Sequence, residues 1–167
     1  HVNPRHWWHD DLPDSSWYNQ WETFTRTNYK IVCATDPHAS KADKDQLQKG
    51  WFDVNMADLN YNNRLLFDYV LQSYIYWAEL TGLDGFRVDT YPYNDLNLAS
   101  QMMAGIRREY PNMNLVGECW VKSIPEMAYF QTGNNNRDGF DSQLPSIMDF
   151  ILKDWLEMAF VEGESWD

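Results

Sequence analysis

Cysteine is scarce in this sequence. Cys33 and Cys119 are the two present, 86 positions apart and in no Cys-x-x-Cys pair, a pattern that disfavours zinc or a dense disulfide framework and reads as two buried thiols. Positive charge is short as well. Lys and Arg number 13 against 25 Asp and Glu, for a formal net charge of -12 and a pI near 4.5. Nucleic-acid affinity starts from a basic surface, so a nucleic-acid partner is not expected. No apolar run approaches the ~18 residues of a membrane span, so no membrane is expected either. No repeat of about 20 to 50 residues recurs, and no GxGxxG or phosphate-binding loop follows any strand-like run. His6, His9 and Asp10 lack a His-Glu-x-x-His frame, which makes them loop residues rather than metal ligands.

Aromatic residues are abundant: 16% of the chain, with nine Trp and ten Tyr. Aromatics are costly to expose, so the excess means a heavily packed core or a surface that stacks on flat ligands. A hydrophobic content of 44% supports a core, and 167 residues is the length of one ordinary domain. Trp7, Trp8, Trp17, Trp21 and Trp51 crowd the first third. There they read either as a stacking surface or as a small satellite core under a loop. Trp77 and Trp155 fall on helical stripes and read as packing.

Residues 1 to 62 show turn residues and aromatics with little sustained periodicity, which predicts a long loop region of the kind that carries function. From 63 to 167 the pattern is regular. Leu66, Tyr69, Val70, Tyr74, Trp77 and Leu80 recur at helical spacing, with Asn62 or Asn63 placed to cap and Gly82 placed to stop. Asp84 to Asp89 is strand-like, a helix is predicted from Leu96 to Tyr110 before Pro111, and Leu115 to Glu118 is the next strand-like run. Ser123-Ile124-Pro125-Glu126 has the form of a capping box. A strand within Phe140 to Met148 and a helix from Phe150 to Val161 complete the series. Such alternation predicts an α/β fold with parallel strands and helical crossovers, either a doubly wound sheet or part of a (β/α)8 barrel. Three strands close no barrel, so the barrel reading makes this chain a piece of one. The ends, His-Val-Asn-Pro and Gly163 to Asp167, read as cuts, with no signal peptide to be seen.

In parallel α/β folds the chemistry sits at the carboxyl ends of strands. Asp89 and Glu118 each end a strand-like run and lie 29 residues apart, one loop-helix-loop unit. They are therefore expected on adjacent strands about 4.8 Å apart. From there two carboxyls can approach to the roughly 5 to 5.5 Å used by retaining glycosidases. Arg87, two residues before Asp89, falls on the same strand face and would hold that carboxylate ionised. Glu118 beside Gly117 and Trp120 is expected in a drier setting, as general acid and then base. The same residues also read as a structural ion pair and a solvated strand-end carboxylate, and spacing alone does not choose.

At these residues the sequence resembles glycoside hydrolase family 13, the α-amylase family. Gly85-Phe86-Arg87-Val88-Asp89 resembles its second conserved region, and Gly117-Glu118-Cys119-Trp120 its third. Met56-Ala57-Asp58-Leu59-Asn60 is similar to an auxiliary segment with Pro in place of Ala57, and His1 to the closing His of the first region. Asp89-Thr90-Tyr91-Pro92-Tyr93 further resembles the neopullulanase and cyclomaltodextrinase-like enzymes. The resemblance implies a fragment of a (β/α)8 TIM barrel, from about the end of strand 3 to helix 6, with residues 1–62 as a domain-B-like excursion. It implies a retaining glycosidase acting on α-glucans, with Asp89 the nucleophile, Glu118 the acid/base, and His1 and Arg87 at the substrate. Trp120, close behind the acid/base candidate, and Tyr91 are further expected substrate contacts. A second Asp that stabilises the transition state is expected outside this chain. A transglycosylase or isomerase of the same family, or an inactive amylase-like binding module, are the alternative functions.

No cofactor is expected. Calcium is the one ion considered, because Asn134, Asn136, Asp138 and Gly139 match the first positions of a calcium loop, but the closing Glu is replaced by Pro145. The expected partner is an α-glucan. Composition leaves oligomeric state open, and suits a periplasmic, extracellular or cytoplasmic enzyme equally.

Overall fold

The computed structural model describes residues 15–20 and 24–161. His1, Trp7, Trp8 and Trp21, with His6, His9 and Asp10, lie outside the described residues. The architecture is α/β: a parallel three-stranded sheet in the order β1-β2-β3 with helical crossovers.

Helix α1 (Val32–Thr35) and helix α2 (Lys41–Lys49) precede the regular part. The described part of residues 1–62 is thus less irregular than its pattern implies. Helix α2 escapes a periodicity search because Leu47 is its one buried side chain. It is held instead by its cap, with Ser40 Oγ accepting from Asp43 N–H, and by Lys41–Asp45 and Lys49–Asp45 pairs one turn apart.

Helix α3 (Arg64–Thr81) runs between the two predicted punctuation marks. Asn63 Oδ1 accepts from Leu66 N–H, and Gly82 ends the helix at φ 63, where a Cβ would be strained. Strand β1 (Gly85–Val88) follows, then a 3-10 turn at Tyr91–Tyr93 and helix α4 (Leu96–Glu109), capped by Asp95. Strand β2 (Asn114–Gly117) leads to helix α5 (Ile124–Tyr129), whose capping box forms as predicted, Ser123 Oγ accepting from Glu126 N–H. Strand β3 (Ser146–Ile147) is much shorter than the predicted run, and helix α6 (Phe150–Phe160) is capped by Asp149. Residues 140–145 fail to join β3 because their groups are bonded locally. Ser142 Oγ bonds Phe130 C=O, Asp141 takes the Gln143 N–H, and Gln143 itself has φ 61.

One core lies between the sheet and helices α3 and α4, with Leu115, Met102, Met103, Ile106, Leu144, Phe130 and both cysteines at its centre. The thiols are free and buried, as their spacing predicts. A second, smaller core joins Trp17, Tyr18, Trp51, Ala57 and Leu66. Two of the loop tryptophans therefore pack rather than face solvent, with Trp51 Nε1–H donating to Asn19 C=O.

The helical tryptophans correct their expectation in the other direction. Trp77 is 51% and Trp155 59% exposed. Helix α3 buries Leu66, Phe67 and Ala78 and packs Val70, Leu71 and Tyr74 on the core, so its inward face is rotated from the predicted stripe. The face bearing Tyr76, Trp77 and Leu80 is exposed, as are Leu152, Trp155 and Phe160 on α6. Among the described residues no helix is long and apolar enough to cross a membrane.

Candidate active site

The register of β1 on β2 pairs Val88 with Gly117, so the residues that follow, Asp89 and Glu118, leave adjacent strand ends side by side. Main-chain bonds extend this pairing past the strands. Glu118 N–H donates to Val88 C=O at 2.8 Å, and Tyr91 N–H to Glu118 C=O at 3.3 Å. Gly117 is required at the end of β2, because a Cβ there would lie 2.4 Å from Leu144 Cδ1 in the packed core.

Arg87 lies on the same strand face as Asp89 and bridges both carboxyls. Its Nη2 is 2.9 Å from Asp89 Oδ1 and 3.1 Å from Glu118 Oε2. The two acids differ in surroundings: the Asp89 side chain is 60% exposed and that of Glu118 15%. Burial, reinforced by a hydrogen bond to Asp89, raises the Glu118 pKa above the ordinary carboxyl value. A Thr90 N–H bond to Glu118 Oε2 at 3.1 Å and the charge of Arg87 act against that rise. The more buried Glu118 is thus the member of the pair whose surroundings favour the protonated form. One acid is buried with a raised pKa and its neighbour is open, the asymmetry that acid-plus-nucleophile chemistry needs.

The turn after Asp89 is strained. Thr90, a β-branched residue, sits in the left-handed region at φ 47, ψ 36. That conformation swings its N–H onto Glu118. Nothing in the sequence pattern marks Thr90, since Thr rarely adopts positive φ.

Arg87, Asp89 and Thr90 line a cavity of about 260 Å³ with Met56, Tyr61, Tyr74 and Asn94. The Met56–Asn60 segment reaches the cavity through Met56. Asp58 turns inward and is buried, accepting from Asn19 Nδ2–H at 2.8 Å. Burial, partly offset by that bond, raises its pKa to about 7. A cluster of Tyr29, Phe52 and Tyr93, with ring centroids 5.3 to 6.4 Å apart, stands beside the turn and was not foreseen in the sequence.

Two further expectations part company. Trp120 is 52% exposed and lies flat on Phe150, centroids 4.8 Å apart at 8°, so one indole face is backed and the other open. Tyr91 is fully buried, its hydroxyl donating to Ser142 C=O at 2.9 Å and its ring against Phe130. Its side chain braces the core, and the residue lines the cavity beside Asp89. In the candidate calcium loop, Asn134 Nδ2–H donates to Ala128 C=O and Asn136 Nδ2–H to Tyr129 and Phe140 C=O. Asp138 accepts from Tyr129 O–H and Phe140 N–H. These bonds build a local turn over 134–140. Among the described residues no cluster of three or more His, Cys, Asp or Glu is placed to hold a metal.

No protein-family model matches the chain. Solved structures do. An α-amylase from Geobacillus thermoleovorans, complexed with acarbose, is 18% identical with a TM-score of 0.69, over 95% of this chain and 30% of that one. A cyclomaltodextrin glucanotransferase with a three-domain ABC distribution is 22% identical at TM-score 0.63, over 90% and 27%. The cyclic α-maltosyl-(1→6)-maltose hydrolase from Arthrobacter globiformis, in complex with maltose, is 15% identical at TM-score 0.60, over 96% and 32%. The chain spans about a third or less of the length of each. At these identities the likeness is one of fold: the chain has the α/β fold of a part of these α-amylase-family enzymes.

Proposed function

We propose that this chain is the central part of a retaining α-glucan glycosidase of the α-amylase family, with Asp89 as nucleophile and Glu118 as acid/base. The observation that carries the reading is the pair itself: two carboxyls at adjacent strand ends, bridged by Arg87, one buried and one open. The likeness in fold to α-glucan-acting enzymes supports it.

In the reaction, Asp89 attacks the anomeric carbon while Glu118 gives its proton to the departing glycosidic oxygen. The bond from C1 to that oxygen breaks as the bond to Asp89 forms. Glu118, now ionised, takes a proton from water as the water attacks C1 and frees Asp89. Arg87 holds the Asp89 carboxylate in place for the first step and shields the negative charge left on Glu118 before the second. The sugar must enter between two groups that touch in its absence, so binding parts the Asp89–Glu118 contact toward the roughly 5 to 5.5 Å of a retaining pair. Trp120 supplies an apolar platform for a sugar face near the acid. A sugar in place of water as acceptor turns the same residues to transglycosylation. The remaining barrel strands and a third carboxylate would come from polypeptide outside this chain.

The test is Asp89→Asn in the full-length protein that contains this chain, assayed on maltooligosaccharides and cyclodextrins. Turnover should vanish while the fold persists, and near-normal activity would overturn the reading.

A further inference from the structure

We infer that Asn94 is a positioning residue for the acid/base, acting by clamping the strained turn that delivers the Thr90 N–H to Glu118. The geometry is direct. Asn94 Nδ2–H donates to Thr90 C=O at 3.1 Å and to Tyr91 C=O at 3.2 Å. Its own N–H donates to Tyr91 C=O at 3.3 Å, and Tyr93 N–H to Thr90 C=O at 3.0 Å. One side chain thus ties the two peptide groups that follow the left-handed residue, Thr90–Tyr91 and Tyr91–Pro92. An unrestrained Thr avoids that region, because its branched Cβ crowds the backbone there. Released, the Thr90 peptide returns to negative φ and its N–H leaves Glu118 Oε2. Asn94 reaches back to the turn while the next residue, Asp95, caps helix α4, so turn and helix are fixed by consecutive side chains. Asn94 also lines the cavity beside Arg87 and Asp89.

The groups facing Glu118 are Asp89 and Arg87 at the end of β1, Tyr93 on the turn, and its neighbour Cys119. Asn94 changes none of their charges. Its removal acts on Glu118 only through the Thr90 hydrogen bond, which favours the ionised carboxylate. The inference rests on Glu118 being the acid/base, but its test reads the carboxyl without substrate.

The experiment follows the Glu118 side-chain carboxyl by 13C NMR titration in the full-length protein, for wild type, Asn94→Ala, and Asn94→Ala combined with Thr90→Gly. Loss of one hydrogen bond to a charged carboxylate should raise the Glu118 midpoint by about one pH unit in Asn94→Ala. The basic limb of the pH–rate profile should move with it. Glycine accepts positive φ without strain, so the double variant should return the midpoint toward wild type. A folded Asn94→Ala protein with an unmoved midpoint overturns the inference, as does a double variant as shifted as the single one. If Asn94→Ala does not fold, Asn94→Leu, which keeps the bulk and removes the donor, is read in the same way. Inactivity of the wild type would count against the glycosidase reading and leave this titration intact.

Discussion

Asp89 and Glu118 share one guanidinium nitrogen, Arg87 Nη2 lying 2.9 Å from the first and 3.1 Å from the second. This makes Arg87 the hinge of the pair's electrostatics. It offsets the repulsion of two carboxyls in contact, and it opposes the upward shift that burial and Asp89 impose on Glu118. Arg87→Ala should therefore lower kcat/KM by about 100-fold, the size of effect seen when one charge-stabilising donor leaves an active site. It should also move the Glu118 titration to higher pH. Steady-state kinetics of the full-length protein and carboxyl NMR check the two halves separately.

Asp58 carries a pH-dependent cost. Its carboxyl is buried beside Asn19 with a pKa raised to about 7, against the ordinary value of 3.8. The folded state thus holds a proton that the unfolded state releases at lower pH, so stability is complete below about pH 4 and declines as pH rises toward 7. Asp58→Asn keeps the size, still accepts from Asn19 and cannot ionise. It should flatten that decline, stabilising the protein at pH 8 by on the order of 3 kcal/mol relative to wild type while changing little at pH 4. Denaturant melts at the two pH values measure the difference.

Gly117 is a packing requirement next to the acid. Its replacement by Ala drives a methyl into Leu144, which is fully buried. A loss of about 1 to 3 kcal/mol is expected, with reduced kcat because Glu118 shifts with the strand end. Leu144→Ala in the same background should relieve the clash and return part of the rate, a reversal that distinguishes packing from loss of glycine's flexibility.

Trp120 is the exposed platform. Trp120→Ala should raise KM for maltooligosaccharides about tenfold, since aromatic stacking contributes about 0.5–1.5 kcal/mol beyond area burial. Trp120→Phe should recover most of it. Thermal melting should change little in either variant, because half of the indole is already in water.

Much of this was legible in the sequence for physical reasons. Caps and stops are short-range, so Asn63, Gly82 and Ser123 mark helix ends without tertiary information. The juxtaposition of Arg87, Asp89 and Glu118 follows from strand alternation and from one crossover between neighbouring strands. What was not legible depends on tertiary context. Helix α2 has no apolar stripe to detect, being held by a cap and ion pairs. Tyr91 sits two residues past the nucleophile candidate, and spacing alone does not report that the turn at Thr90 sends its ring into the core. Thr90 and Asn94 escaped because a positive φ at a branched residue, and the clamp that holds it, have no pattern in one dimension. The exposure of Trp77 and Trp155 reflects which faces this stretch of chain covers, which periodicity does not report.

The most direct test of the central assignment is covalent trapping. The full-length protein is incubated with 5-fluoro-α-glucosyl fluoride, whose slow second step lets a glycosyl-enzyme accumulate, and the digest is mapped by mass spectrometry. A single glucosyl adduct on Asp89, lost in Asp89→Asn, is the predicted result. An adduct on Glu118, or turnover of the fluoride with no adduct at Asp89, would contradict the account.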